Sequence, residues 1–176
     1  MTKDCLLYRM SDEDLRNYFP LPRVLTGVFK LCQKLFGVIF EEIKSPEAKA
    51  SAWNKDVSLF RVVDETNGKV LGNFFFDPFI RDDKGYAGGS KGWFIPLRPR
   101  SNISGSVPLG ALIMSLPPPN YGKPSLLNFA ETEEVLRNFG NLLMHILAES
   151  QWSDLCGKNG IEWDALDLAG NFMTQW

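Results

Sequence analysis

Residues 57–76 read VSLFRVVDETNGKVLGNFFF, and this stretch decides the fold class. Two runs rich in β-branched and aromatic residues, 57–63 and 69–76, enclose a short polar segment, which is the pattern of two paired strands. Asn67 and Gly68 favour the left-handed backbone of a tight turn. The stretch therefore predicts a β-hairpin.

Before the hairpin, residues 11–36 have helical character. Pro20 and Pro22 interrupt this region, and after them the apolar side chains recur with a period of about 3.6 residues. Gly37 is expected to end the helix, because glycine readily adopts the left-handed backbone that closes many helices. A strand is expected to begin at Val38.

After the hairpin, residues 81–108 are rich in glycine, serine, proline and arginine, which predicts a long loop. Residues 109–116 form an apolar run of strand length, and three consecutive prolines follow it. Apolar side chains at helical spacing then predict helices over 131–148 and 164–175. The order helix, hairpin, strand, helix, helix predicts the α+β class.

The composition is that of one soluble globular domain covering residues 1–176, with 44% hydrophobic and 23% charged residues. The formal net charge of −2 provides no positive field for nucleic acid. No apolar stretch approaches the roughly 20 residues that a membrane-spanning helix needs. Three scattered cysteines, Cys5, Cys32 and Cys156, favour a reducing compartment over a disulfide framework. We therefore expect a soluble intracellular protein, in the cytosol or in an organelle stroma or matrix, without nucleic-acid binding or membrane insertion.

Several segments, in order along the chain, resemble the zinc metallopeptidases of the thimet oligopeptidase and oligopeptidase A family. Residues 123–127 read KPSLL and residues 134–141 read EVLRNFGN, where the family has K-P-S-L and then a helix carrying H-E-F-G-H. Residues 161–176 resemble the family's W-D-x-V-E-L segment, and IEWDA within it is similar to the plant members. Further matches lie at 15–21, 53–57 and 72–77. The resemblance implies a fragment of a zincin-like catalytic core, in which a small sheet containing the hairpin packs on helices.

The resemblance also assigns roles to four positions. In the family two histidines and a later glutamate bind zinc, and the glutamate between the histidines polarises the metal-bound water. Here Arg137 and Asn141 occupy the histidine positions, Asn138 the general-base position and Asp167 the third-ligand position. Arginine cannot coordinate a cation, and an amide cannot accept the proton of the water. We therefore expect no catalytic residue, no zinc and no enzymatic activity.

The single histidine of the chain, His145, follows the altered motif. Because residues 137, 141 and 145 are four apart on a predicted helix, a surrogate metal site formed by Asn141, His145 and Asp167 is one alternative, and a packing or surface role is the other. A salt bridge between Arg137 and Asp167 is also predicted, since a guanidinium near a carboxylate could replace the missing metal cation.

Three functions remain open at this stage. The first is a non-catalytic pseudopeptidase that acts as a binding, scaffold or assembly protein, with a protein partner or a second copy covering apolar faces at 24–35 and 74–76. The second is a zinc metallo-oligopeptidase that cleaves short peptides. The third is a peptide-binding module without hydrolysis, in which the peptide pairs with strand 109–116 as the edge of the sheet.

Overall fold

The computed structural model describes residues 12–82, 84, 92–150, 152, 156–157 and 161–176. In this part of the chain a five-stranded sheet packs on helices. The strands are β1 (Val38–Glu42), β2 (Ser58–Asp64), β3 (Val70–Phe79), β4 (Gly92–Arg98) and β5 (Leu109–Leu116). The helices are α1 (Asp12–Arg16), α2 (Leu21–Phe36), α3 (Pro46–Ser51), α4 (Phe129–Leu147) and α5 (Leu168–Met173), and a 3-10 turn (Trp163–Ala165) precedes α5. A mixed α/β architecture with a small sheet on helices is confirmed.

The strands follow the spatial order β1-β2-β3-β5-β4. The β3–β5 pair is parallel, and the other three pairs are antiparallel. Two predictions about this region are wrong. Residues 81–108 are not all loop, because β4 lies within them, and β5 is not an edge of the sheet, because β4 covers its outer side.

The predicted hairpin is confirmed as the antiparallel pair β2–β3. In the turn, Gly68 has φ of 70°, and its N–H donates to the main-chain oxygen of Asp64 at 2.9 Å. The Asp64 side chain accepts from the Thr66 N–H, and the Asn67 side chain accepts from the Lys69 N–H, both at 2.8 Å. The left-handed backbone is therefore supplied by the glycine, while the polar side chains bind the main chain of the turn.

Three consecutive phenylalanines in β3 explain how both faces of the sheet are covered. Successive side chains of a strand point to opposite faces. Phe74 and Phe76 accordingly belong to the main core with α2 and α4, and Phe75 belongs to a smaller cluster with Val57 and Ala111 on the other face. Because Phe74 is fully buried and Phe76 is 4% exposed, the expectation that the face at 74–76 is left uncovered is wrong.

Helix α4 passes through the centre of the main core. It begins with a capping box, in which Asn128 accepts from the Glu131 N–H at 2.7 Å and the Glu131 carboxylate accepts from the Asn128 N–H at 2.8 Å. Phe139 on this helix is 1% exposed and meets the ring of Phe29 from α2 edge-on. Its ring also lies against Phe74 of β3. The sheet and α2 thus fix the orientation of α4 and of the polar residues beside Phe139.

The predicted break in the first helical region is confirmed. Helix α1 ends at Arg16, and α2 begins at Leu21, just after Pro20. Gly37 closes α2 with φ of 64°, and its N–H donates to the Gln33 oxygen at 2.8 Å. No helix in the described ranges is long and apolar enough to cross a bilayer.

Candidate functional site

The candidate site lies where α4 crosses α5, and two glycines set the distance between these helices. A Cβ atom built on Gly140 would collide with the main chain of α5, coming within 2.7 Å of the Ala169 carbonyl carbon and 2.9 Å of the Gly170 Cα. A Cβ on Gly170 would lie 2.9 Å from Cγ of Arg137 and 3.2 Å from Nδ2 of Asn141. The two backbones therefore touch, and Arg137 and Asn141 lie at the contact.

Arg137 binds α5 through Asn171 rather than through Asp167. Its Nη1 donates to Oδ1 of Asn171 at 2.5 Å. On its own helix, Arg137 forms longer ion pairs with Glu133 and Glu134, both at 3.7 Å. The predicted salt bridge between Arg137 and Asp167 is therefore wrong. The guanidinium binds Asn171 instead, one turn further along α5.

Asp167 is instead the partner of Asn141. Nδ2 of Asn141 donates to Oδ1 of Asp167 at 3.2 Å. Because a carboxylate can only accept, the amide nitrogen must be the atom that faces it, which fixes the orientation of the Asn141 side chain. Oδ1 of Asn141 is buried and has no hydrogen-bond partner among the described residues. Asp167 itself is exposed, so only one half of this pair is inside the protein.

Asn138, at the general-base position of the resemblance, is 3% exposed and bound within its own helix. Its Nδ2 donates to the main-chain oxygen and to Oε1 of Glu134, both at 2.9 Å. These bonds hold the amide against the preceding turn of α4. The arrangement satisfies a buried polar group but supplies no proton acceptor.

His145 is 1% exposed and faces the sheet. Its Nε2 lies 3.0 Å from the main-chain oxygen of Arg98 at the end of β4, and its ring packs against Phe94. A Cβ on Gly157 would collide with Nδ1 of this imidazole. Burial lowers the pKa of His145 because it disfavours the imidazolium, although its main-chain hydrogen bonds oppose that change. These contacts favour the packing role of His145.

The zinc that the resemblance implies can be tested against this donor set. Of the three ligand positions, Arg137 carries a cation, Asn141 presents its amide nitrogen to a carboxylate, and only Asp167 is an ordinary zinc ligand. Among the described residues, no group of three or more histidine, cysteine, aspartate or glutamate side chains is placed to hold a metal. The residues present do not fit a zinc ion, and no chemical step through zinc follows from them.

A second polar cluster was missed by the sequence analysis. Asp77 is 1% exposed, and Arg81 donates to both of its carboxylate oxygens, at 2.6 and 2.8 Å. Trp53 Nε1 donates at 2.8 Å and Lys84 Nζ at 2.9 Å. Burial alone would raise the pKa of Asp77, but the hydrogen bonds from Arg81, Lys84 and Trp53 together outweigh it and lower the pKa. The spacing of an arginine four residues and a lysine seven residues after the aspartate was the available signal.

Lys84 connects this cluster to two strands. Its Nζ also donates to the main-chain oxygens of Asp77 at 3.0 Å, Phe79 at 2.9 Å and Met114 at 2.5 Å. Because these oxygens lie on β3 and β5, the ammonium holds together the ends of the two central strands. The cluster therefore stabilises the sheet that carries β4.

Strand β4 lies at one edge of the sheet and packs on α4. Phe94 and Arg98 contact His145, while Ile95 and Leu97 are 36% and 49% exposed. Pro96 lies between these exposed residues. Because proline has no N–H to donate to a neighbouring strand, it occurs mainly on edge strands. A candidate peptide-pairing edge therefore lies beside the helix that carries Arg137 and Asn141.

Comparison with known proteins identifies relatives over the whole of this region. A sequence model of peptidase family M3 matches residues 3–176. Organellar oligopeptidase A, chloroplastic/mitochondrial, from Arabidopsis thaliana is 35% identical over 96% of the chain and 21% of its own length. Probable cytosolic oligopeptidase A from the same plant is 33% identical over 96% of the chain and 24% of its own length. Oligopeptidase A from Haemophilus influenzae is 34% identical over 97% of the chain and 24% of its own length.

These relatives correct the expectation about activity. The prediction that the chain is not an enzyme is contradicted, because the similar proteins, at 29–35% identity, are named oligopeptidases and nothing in the comparison shows a loss of activity. The chain spans between a fifth and a quarter of the length of these relatives. Plant and bacterial relatives match it almost equally well, so the likeness does not single out the plant members.

Proposed function

Because the chain belongs to peptidase family M3, we propose that it acts on short peptides as part of an oligopeptidase. The observation that carries the proposal is the family match over residues 3–176, a range that includes both the sheet edge and the α4–α5 crossing. The names of the relatives supply the ligand class: they are oligopeptidases. The zincin-like architecture that the resemblance implies is part of the same proposal.

The proposed binding mode is addition of an extended peptide to β4. Strand addition uses main-chain hydrogen bonds, which suit peptides of many sequences, and exposed side chains at the edge provide selectivity. Ile95 and Leu97 would contact apolar side chains of the peptide.

The test is a peptide assay on the purified protein, with added zinc and with a chelator in parallel. Mixed peptides of about five to ten residues, within the usual length of a strand, would be incubated and analysed by mass spectrometry. Hydrogen exchange of the Ile95, Leu97 and Arg98 amides of β4 would be followed with and without peptide, and the amides of β1, the opposite edge, serve as the internal control. Protection of β4 alone is the expected result for peptide binding, and cleavage of the peptide in addition would assign hydrolysis to this chain.

The outcomes separate the two peptide functions left open by the sequence. Protection of β4 with uncleaved peptide would support peptide binding and remove hydrolysis from the proposal. Equal exchange at both edges and intact peptides would overturn the proposal as a whole. The variant Leu97→Glu should weaken binding of apolar peptides without altering the β1 amides, because the charge lies on the exposed side of the edge strand.

A protein partner or a second copy also remains a proposal. An apolar groove of about 600 Å³ lies between the end of α2, α4 and α5, and Leu168 and Phe172 at its rim are 71% and 49% exposed. Exposed apolar surface of this kind is common at protein interfaces. Light scattering across a concentration series would test it, and a constant monomer mass would count against it. For the compartment we propose the cytosol or an organelle, since the relatives are named for both.

A further inference from the structure

The helices α4 and α5 are joined by two parallel side-chain bonds, one turn apart. Arg137 binds Asn171, and Asn141 binds Asp167. On each helix the two partners are four residues apart, so both lie on one face, and the bonds form two rungs between the helices. Within α5, the Asn171 N–H donates to the main-chain oxygen of Asp167 at 2.8 Å, which keeps the two acceptors one turn apart.

The polar atoms of the two rungs are not arranged as the ligands of a bridging ion. Gly170 fits directly against Arg137 and Asn141, so closely that a single added Cβ would be 3.0 Å from the main-chain oxygen of Arg137. A zinc ion needs its nitrogen or oxygen ligands at about 2.0–2.2 Å around a common centre. Here Nη1 of Arg137 and Nδ2 of Asn141 donate to the oxygens of Asn171 and Asp167 instead, at 2.5 and 3.2 Å.

The local charges agree with this geometry. The guanidinium of Arg137 is the cation between the acidic side chains of Glu133 and Glu134 on one helix and the polar end of α5 on the other. A divalent ion placed among them would be repelled by a permanent positive charge, since arginine stays protonated at any working pH.

We infer that direct side-chain bonds from Arg137 and Asn141 hold α4 against α5 without a metal, so that this chain takes up no zinc at the position where the family binds it. Metal content and the helix contact are independent of the proposed function, because they are measured separately from peptide binding and cleavage.

The experiment measures zinc in the purified protein, as isolated and after chelation followed by titration with zinc chloride. The wild-type chain should contain far less than stoichiometric zinc, and its melting temperature should be the same with and without chelator. The comparison variant carries Arg137→His, Asn141→His and Asp167→Glu, which places two imidazoles four residues apart opposite a carboxylate. This variant should gain stoichiometric zinc, and chelation should lower its melting temperature.

Stoichiometric zinc in the wild-type chain, with a melting temperature that falls on chelation, would overturn the inference, and this readout does not require the variant to fold. A second variant, Asn171→Ala, removes one rung alone. It should lower the melting temperature of the wild-type background and leave that of the zinc-loaded triple variant unchanged. An equal fall in melting temperature in both backgrounds would also contradict the inference, because Asn171 would then stabilise the protein in the same way whether or not zinc joins the two helices.

Discussion

Asp77 and Asp167 both lie next to basic or amide side chains, but their surroundings differ in burial and in bonding. Asp77 is almost fully buried and accepts from Arg81, Lys84 and Trp53 at 2.6–2.9 Å. Asp167 is exposed and accepts from one amide at 3.2 Å. Short, charge-assisted bonds to a buried carboxylate are the strong ones, so the Asp77 cluster restrains the fold far more than the α4–α5 site does.

The difference shows where this sequence is free to change. A residue whose charge is buried and paired cannot be replaced without leaving its partners uncompensated. At α4–α5, Arg137 is partly exposed and Asp167 is exposed, so their replacement should cost little folding free energy, whereas Asn141 is buried. Departures from a family motif are therefore easier to accommodate at positions 137 and 167 than at position 77.

The largest effect is expected for Asp77→Asn. The substitution removes the carboxylate shared by Arg81 and Lys84, and breaking a buried pair of this kind costs about 3–5 kcal/mol of unfolding free energy. Urea denaturation would measure it. The matched control is Asp167→Asn, which should change the unfolding free energy only slightly, and equal losses in the two variants would contradict the comparison.

Gly140→Ala should have the next largest effect. The added methyl group would meet the main chain of α5, which cannot move aside as a flexible side chain can, and overpacking of this kind costs about 1–3 kcal/mol. Gly27→Ala in α2 is the control, because a Cβ there meets nothing within 4 Å and alanine is the better helix former. In thermal unfolding, the melting temperature should fall for Gly140→Ala and rise for Gly27→Ala. An unchanged melting temperature in Gly140→Ala would mean that α4 and α5 can move apart to accommodate the methyl group.

A smaller effect of pH should come from His145. Burial lowers its pKa below the ordinary value of 6.5, so the unfolded chain binds the proton more tightly than the folded chain. Stability is therefore complete above pH 6.5 and declines as the pH falls from 6.5 toward the folded pKa, by at most about 1.4 kcal/mol per pH unit. In His145→Gln the unfolding free energy should be flat between pH 7.5 and 5.5. A slope that persists in this variant would assign the effect to other groups.

Arg137→Ala should have the smallest effect, since partly exposed ion pairs contribute about 0.2–1 kcal/mol. A double-mutant cycle with Asn171→Ala isolates the coupling between these two side chains, and unfolding in urea supplies the four free energies. We expect a favourable coupling for this pair. The cycle of Arg137→Ala with Asp167→Asn should give none, and the reverse result would restore the salt bridge predicted from the sequence.

Much of the fold could be predicted because its signals are local. The consecutive phenylalanines of β3, the proline break before α2 and Gly37 at its end all act through neighbouring residues. Strand β4 was not predicted because the surrounding glycine, proline and arginine residues, which are typical of loops, outweighed the short strand-like run Trp93, Phe94 and Ile95. Helix α3 was missed for a related reason: six residues are too few to show a period.

The four motif positions could be found by resemblance, but the partners of their side chains could not. Asp167 and Asn171 lie one turn apart, so both were possible partners for Arg137, and the contact of Gly140 with Ala169 decides between them. The Asp77 cluster depends on Trp53 and on the main-chain oxygen of Met114, which lie far from it in sequence. Such pairings follow from the packed structure and not from spacing.

The parallel pairing of β3 with β5 has a consequence for the kinetics of folding. The β2–β3 and β4–β5 pairs join strands that are near in sequence, whereas β3 and β5 meet only after residues 80–108 have been closed into a loop. Closing a longer loop costs more chain entropy, and contacts between distant residues slow the search for the native state. Pairing of β3 with β5 should therefore be the slow step of folding. Lys84, which donates to main-chain oxygens of both strands, stabilises this pair once it has formed.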